Sequence, residues 1–280
     1  MSPSGRLCKA RRVGDVDNEE TVLAGSRLNR VVKIGDTVHR PAGPWTPTVH
    51  DLLRHVRNAG LTLAPEPLGA DEQGREVLAY IPGATVGDDM PWPDWVWEDD
   101  LLVQVGQATA AYHRAVADFR PAGTVPWQFE AQGLQPDQII CHHDIAPYNA
   151  VVEHGQLRGI IDWDLAGPGT IRSELAFVAW QWVPLQHPVI ASMFGWPAGE
   201  VAGLARRLRL LLDAYGLDER AGFIDDIIAR IHLNRDRMLR KAAEGVAGYV
   251  NLVQAGHVEG MNAAITFVKE QQDALRAALL

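Results

Sequence analysis

Three side chains in two short stretches define the chemistry open to this chain. Cys141-His142-His143-Asp144-Ile145-Ala146-Pro147-Tyr148-Asn149 places a carboxylate at Asp144 and a carboxamide five residues later at Asn149. Gly159-Ile160-Ile161-Asp162-Trp163-Asp164 places another carboxylate, Asp162, at the end of an apolar run. A positioned carboxylate orients an attacking hydroxyl and takes its proton. An amide oxygen and a second carboxylate are hard donors suited to Mg²⁺. Together they meet the needs of kinase-type phosphoryl transfer from ATP or GTP, in which catalysis rests on positioning and charge neutralisation. Asp and Asn also populate turns for local hydrogen-bonding reasons. Turn chemistry alone does not call for three such residues in this order between apolar strands.

The elements that position these groups follow from periodicity. Thr21-Val22-Leu23-Ala24 and Arg30-Val31-Val32-Lys33-Ile34 read as strands, and Gly35-Asp36 turns the second into Thr37-Val38-His39-Arg40. Thr46-Pro47 opens a helix with Val49, Leu52, Leu53 and Val56 on one face, ended by Asn58-Ala59-Gly60. Glu76 to Ile81 is a further strand, closed by Pro82-Gly83. The Gly-, Pro- and Asp-rich segment that follows marks a lobe boundary. Residues 1–18 read as a polar arm, 19–82 as a small lobe of sheet plus helix, and 83–280 as a helical lobe. In that lobe, stripes such as Leu101, Leu102, Val105, Ala108 and Tyr112 have helical spacing. So do Val201 to Tyr215, Phe223 to Ile231 and Ile265 to Leu279. Gln138 to Cys141, Ala150 to Val152 and Leu157 to Ile161 interrupt them as strands.

On these motifs the chain resembles the aminoglycoside phosphotransferase family. His142, Asp144 and Asn149 match its His-x-Asp-x-x-x-x-Asn loop, and Ile161-Asp162-Trp163-Asp164 matches its metal strand. Ala166 to Gly169 and Glu174-Leu175-Ala176 look like its continuation, where the acidic residue opens the next helix. The resemblance implies an α+β, protein-kinase-like two-lobed fold with a small antiparallel sheet and a mainly helical second lobe. It implies Asp144 as the catalytic aspartate, Asn149 and Asp162 as Mg²⁺ ligands, and His142 as a brace for the loop. Many relatives have Gly where this chain has His143. No Gly-x-Gly-x-x-Gly occurs in the first lobe. Gly25-Ser26 at the first hairpin is left to cover phosphates through backbone amides. Arg40, on the same strand face as Val38, is the chosen phosphate contact, with Lys33 and His39 as rivals. The helix that should supply a Glu partner offers His50 and Asp51 instead. The connector residues Ala79 and Ile81 are the candidates to hold a nucleotide base. Asp164 would support the metal at one remove or satisfy loop amides.

Composition bounds the partners. The net charge is -9 over 280 residues, a poor match for nucleic acid, whose phosphates need clustered Lys and Arg. No apolar run reaches ~18 residues, so no membrane-spanning helix is expected. Cys8 and Cys141 are the two cysteines; they fit a reducing cytoplasm, with Cys141 as a small buried apolar residue. The nine tryptophans cluster near the lobe boundary and after the metal strand, mostly as core, with one or two free to line a substrate pocket. Acidic residues at Asp213, Asp218, Asp225 and Asp226 could bind an amine-bearing acceptor or form a solvated helix face. The leading expectation is transfer to a small-molecule hydroxyl. One alternative is a kinase-fold binding or immunity protein with weak or no catalysis. Another is a metal-dependent phosphohydrolase or zinc site built on Cys141, His142, His143 and Asp144. Neighbouring residues on a strand point to opposite faces, which argues against that site.

Overall fold

The computed structural model describes residues 20–23, 31–87, 90–121, 125–129, 133–196 and 200–279. The arm expected over 1–18, and Gly25 and Ser26, lie outside the described residues. The first lobe is a five-stranded antiparallel sheet in the order β1 (Thr21–Val22), β2 (Val32–Ile34), β3 (Thr37–Arg40), β5 (Glu76–Ala79), β4 (Pro67–Ala70). Gly35, at φ 56°, makes the two-residue turn between β2 and β3. Helix α1 (Thr46–Asn58) starts with Pro47 in its first turn. It lays Val49, Leu52, Leu53 and Val56, all fully buried, toward the core.

Strand β4 has no counterpart in the sequence reading. Its Pro67 and Gly69 make it look like a loop. It lies at the sheet edge, where proline is tolerated, and its pairing with β5 is irregular between those two residues. Beyond β5 the chain leaves the sheet, and Ala84 exchanges backbone hydrogen bonds with Val152 in the second lobe.

The second lobe holds α2 (Asp99–Val116), α3 (Ile171–Trp182), α5 (Val201–Tyr215), α6 (Phe223–Ala243) and α8 (His257–Ala277), with short α4 (Pro188–Met193) and α7 (Ala247–Gln254). The expected stripes are the buried ones. Leu101, Leu102, Val105, Leu208, Leu211, Ile227, Ile231 and Val268 all sit in one core. Two small sheets carry the motif region: β6 (Ile139–Cys141) pairs with β9 (Gly167–Gly169), and β7 (Ala150–Glu153) pairs with β8 (Gln156–Ile160). Strand β9 reads Gly-Pro-Gly and carries no strand signal, so only its pairing with β6 reveals it. Helices α4 and α7 are too short to set up a periodicity.

Candidate functional site

The site is built on the loop leaving β6. Fully buried Ile140 and Cys141 anchor the strand end. His143 then turns the chain with a left-handed φ of 69°, which is the conformation glycine adopts freely. His143 is compensated by its contacts. Its backbone N–H donates to Glu174 Oε1 at 2.7 Å, and its carbonyl accepts from Arg230 Nη2 at 2.9 Å. Its Nδ1 faces Arg230 Nη1 at 3.1 Å and its Nε2 faces the Pro168 carbonyl at 3.2 Å. The ring is therefore neutral, with its proton on Nε2. Burial, with Arg230 and Arg237 nearby, holds its pKa down at about 3.

His142 ties the two motifs together. Its Nδ1 accepts the Asp144 N–H at 3.2 Å, and its Nε2 bonds the Ile161 carbonyl at 3.1 Å, directly before Asp162. The imidazole packs on Trp163, and burial lowers its pKa. With both nitrogens of His142 and of His143 spent on protein groups, and Cys141 buried, the zinc arrangement does not form. No group of three or more His, Cys, Asp or Glu suited to a metal occurs among the described residues.

Asp144 and Asn149 face each other across the turn at Pro147–Asn149. Asn149 Nδ2 donates to Asp144 Oδ2 at 2.8 Å and to the Asp144 carbonyl at 3.0 Å. This fixes the amide so that its oxygen points elsewhere, with no hydrogen bond among the described residues. Asp144 Oδ1 accepts the Tyr148 hydroxyl at 2.7 Å. Burial pushes the Asp144 carboxyl up to about 7, with Asp162 adding to the shift and the Tyr148 and Asn149 bonds opposing it. That value suits a general base near neutral pH. The Ile161 N–H donates to the Asn149 carbonyl at 2.9 Å, so the two candidate metal ligands hang from bonded neighbours. The side chain of Asp162 is 51% exposed. A carboxylate and a free amide oxygen are the sparse protein donor set that Mg²⁺ takes when phosphates and water supply the rest, so these residues fit that ion.

Arg40 bridges the lobes. Its Nη1 donates to Asp162 Oδ1 at 2.8 Å and its Nη2 to Asp164 Oδ1 at 2.7 Å. Its Nε donates to Glu76 Oε2, the residue directly opposite on β5. Glu76 Oε1 also meets His50 Nε2 at 2.9 Å. Burial opposes the Arg40 charge, but Asp164, Asp162 and Glu76 outweigh it and raise its pKa. Burial raises the Asp164 carboxyl to about 6 despite Arg40. The expected Lys–Glu style pair thus exists with other members. Arg40 is the cation, strand β5 supplies the acid, and α1 supplies His50 as its second partner. Sequence reasoning missed Glu76. The signal was a charged residue in the apolar alternation of β5, but its pairing depended on a register that no local pattern encodes.

The remaining candidates are engaged in other contacts. Lys33 shares the sheet face of Arg40, yet its Nζ sits over the Tyr80 ring at 4.1 Å from the centroid. His39 bonds Asp71 and Thr37 on the opposite face. The Ala79 N–H is used by the Glu66 carbonyl. Ile81 packs onto Gly159, where an added Cβ would lie 2.5 Å from Ile81 Cδ1. The connector therefore rests on the strand that leads to Asp162. Glu174, in the first turn of α3, also holds His113 Nε2 at 2.9 Å, and His113 Nδ1 meets the Tyr215 hydroxyl at 2.8 Å. Asp213, Asp225 and Asp226 pair with Arg220, Arg276 and Arg172. The aromatic residues are better placed: Trp92 packs on Phe194 and Trp97 and meets Tyr148 edge-to-face.

Comparison with known proteins bears on the family and the fold. A model of the phosphotransferase enzyme family matches residues 127–239. The Trifolitoxin immunity protein of Rhizobium leguminosarum bv. trifolii is 37% identical over 217 residues, which span 75% of this chain and 80% of that protein. The aminoglycoside phosphotransferase APH(4)-Ia superposes with a TM-score of 0.56 at 17% identity, covering 91% of this chain and 94% of that one. The GDP complex of aminoglycoside 2'-phosphotransferase-IIIa superposes with a TM-score of 0.54 at 12% identity, covering 92% and 94%. These two likenesses show the protein-kinase-like fold.

Proposed function

Since the chain belongs to the phosphotransferase enzyme family, we propose that it protects its cell against a toxic compound. We further propose that it does so by moving the γ-phosphoryl group of a nucleoside triphosphate to a hydroxyl of that compound. The protective role is suggested by the relative that confers immunity to a toxin. The chemistry rests on one observation: Asp144 and Asn149 are bonded to each other beside Asp162, whose carboxylate Arg40 reaches from the other lobe.

In this reading Asp144 accepts the proton of the acceptor hydroxyl, and its raised pKa suits that task. His142, Arg230 and Glu174 hold the loop that carries it. Asn149 and Asp162 would hold Mg²⁺, which when bound neutralises charge on the phosphates. Arg40 sits beside them with a fixed fork of donors, a shape that suits phosphate oxygens. Ala79 and Ile81 would face the nucleotide, whether ATP or GTP. The acceptor would lie on the Tyr148 and Trp92 side. The proposed place of action is the cytoplasm; no helix among the described residues is long and apolar enough to cross a membrane.

A second reading is protection by binding alone. The relative's name supports immunity more directly than it supports turnover. Arg40 already engages both Asp162 and Asp164, so a cation at Asp162 has to share that carboxylate with a guanidinium.

Titration with ATP and GTP, with and without Mg²⁺, followed by phosphate release against hydroxyl compounds, separates the two. Asp144→Ala should cut turnover by ~10²- to 10⁴-fold. Asp162→Ala should remove the Mg²⁺ dependence of nucleotide binding. If cells expressing Asp144→Ala stay fully protected against a toxin that the parent protein resists, protection comes from sequestration and the transfer reading fails.

A further inference from the structure

The proposed chemistry leaves one group on the catalytic loop unused. Tyr148 follows Asp144 by four residues, and its phenol O–H donates to Asp144 Oδ1 at 2.7 Å. The other carboxylate oxygen accepts from Asn149 Nδ2 at 2.8 Å. Both oxygens of the base are therefore engaged by its own loop. A hydroxyl that donates to the base within hydrogen-bond reach is the arrangement required of an attacking acceptor. Here the chain supplies that hydroxyl itself. The ring is not locked in place: Tyr148 is 40% exposed, and its one ring contact among the described residues is an edge-to-face contact with Trp92, with centroids 6.5 Å apart. It can leave Asp144 without opening the core, with Trp92 and Phe194 forming an apolar shelf beside it.

We propose that Tyr148 is a plug that holds the acceptor's place at Asp144 and keeps water off the base until an acceptor displaces it. This rests on the phosphotransfer reading above. An open base next to a nucleoside triphosphate would activate water. The water oxygen would bond to the γ-phosphorus while the bond to the nucleoside diphosphate broke, and the water proton would pass to Asp144. Free phosphate and nucleoside diphosphate would leave with no acceptor modified. The phenol opposes that loss by occupying Oδ1, the carboxylate oxygen that Asn149 does not engage. It is held there by the short turn that also carries Asn149. An acceptor hydroxyl that arrives with its own binding contacts takes over the bond to Oδ1 as the ring swings aside.

The test is Tyr148→Phe in the full chain, which removes one oxygen and keeps the ring. Mg²⁺-ATP and Mg²⁺-GTP binding are titrated for both proteins, and phosphate release is measured without any acceptor. Nucleotide affinity should be unchanged, while acceptor-free hydrolysis should rise about tenfold or more, toward the 10²- to 10⁴-fold that a positioned base provides. The rise should disappear in Tyr148→Phe combined with Asp144→Asn. A damaged fold does not produce such a gain. Intact binding with no rise in hydrolysis overturns the plug and leaves phosphotransfer standing. Phosphate found on Tyr148 itself after incubation of the parent protein also overturns it, since the phenol would then be an acceptor. Absence of Mg²⁺-nucleotide binding in both proteins removes the phosphotransfer reading and the plug with it.

Discussion

At the junction of the lobes, three carboxylates from two segments, Glu76 on one and Asp162 and Asp164 on the other, share the guanidinium of Arg40. Glu76 is 1% exposed, so removing the cation strands a charge that water cannot reach. Arg40→Met should therefore destabilise by about 3–5 kcal/mol, the cost of breaking one side of a buried pair, read as a lower urea midpoint. Arg40→Lys should recover only part, because an ammonium carries its donors on one nitrogen and does not span the three acids as the guanidinium does. His143 supports a second prediction. Its imidazole is held neutral down to about pH 3, whereas an unfolded His protonates near 6.5. Between those values the unfolded chain binds one more proton than the folded one, so stability should fall as pH drops through that window, by about 1.4 kcal/mol per unit. Glu174, brought down to about 2 mainly by His113 against its burial, adds to the decline below its ordinary range near pH 4.5. Urea titrations from pH 7 to 4 should show a slope shallower by up to one proton in His143→Gly. At this scale the position of Arg40 was legible because two-residue spacing puts it on the face of Val38. The bonds from Tyr148 to Asp144 and from Arg40 to Glu76 were not, since each depends on a turn or a register fixed only by the folded chain.

Elements become legible in proportion to their length and periodicity. The stripes of α2, α5, α6 and α8 are long enough to repeat, and α1 has both its Pro start and its Gly-containing stop. Strand β9 has neither property and exists because β6 offers it a partner, from Ile139 opposite Gly169 to Cys141 opposite Gly167. The pairing has a steric consequence. A Cβ at Gly169 would lie 2.7 Å from His143 Cε1 and 2.9 Å from Cys141 Sγ, so the glycine is what lets β9 approach the loop that carries Asp144. Gly169→Ala should cost about 1–3 kcal/mol as an overpacked site. Combining it with His143→Gly should recover part of that loss, since one of the two clashing groups is gone. A double-mutant cycle by urea denaturation should return a coupling of at least ~0.5 kcal/mol. Strict additivity would show that β9 tolerates the methyl group by moving away from the loop.

For the whole molecule, the change from two-residue to helical periodicity near Pro82 to Pro93 announced a sheet lobe followed by a helical lobe, because each periodicity reports which face is buried. The net charge of -9 told only which partners were poor. The acceptor was beyond reach, because the pocket proposed for it draws on Trp92, Tyr148 and Phe194 from three separate segments. What the assembled lobes should do is couple nucleotide binding to stability. A ligand that binds only the folded protein stabilises it by about 2.7 kcal/mol at a hundred times its dissociation constant. For a chain of this size that corresponds to roughly 5 °C or more in the melting temperature. Mg²⁺ with ATP or GTP should produce such a shift, and either component alone should produce less. Asp162→Ala should lose the Mg²⁺-dependent part, because it removes a candidate ligand that also receives Arg40 from the opposite lobe. Asp144→Ala should keep it, because the base meets the acceptor and not the nucleotide. A protein that only sequesters a toxin would show the reverse, with a melting temperature indifferent to Mg²⁺-nucleotide and raised by the toxin alone. Thermal melts of the three proteins against both nucleotides therefore distinguish a phosphotransferase from a binding scaffold before any acceptor is known.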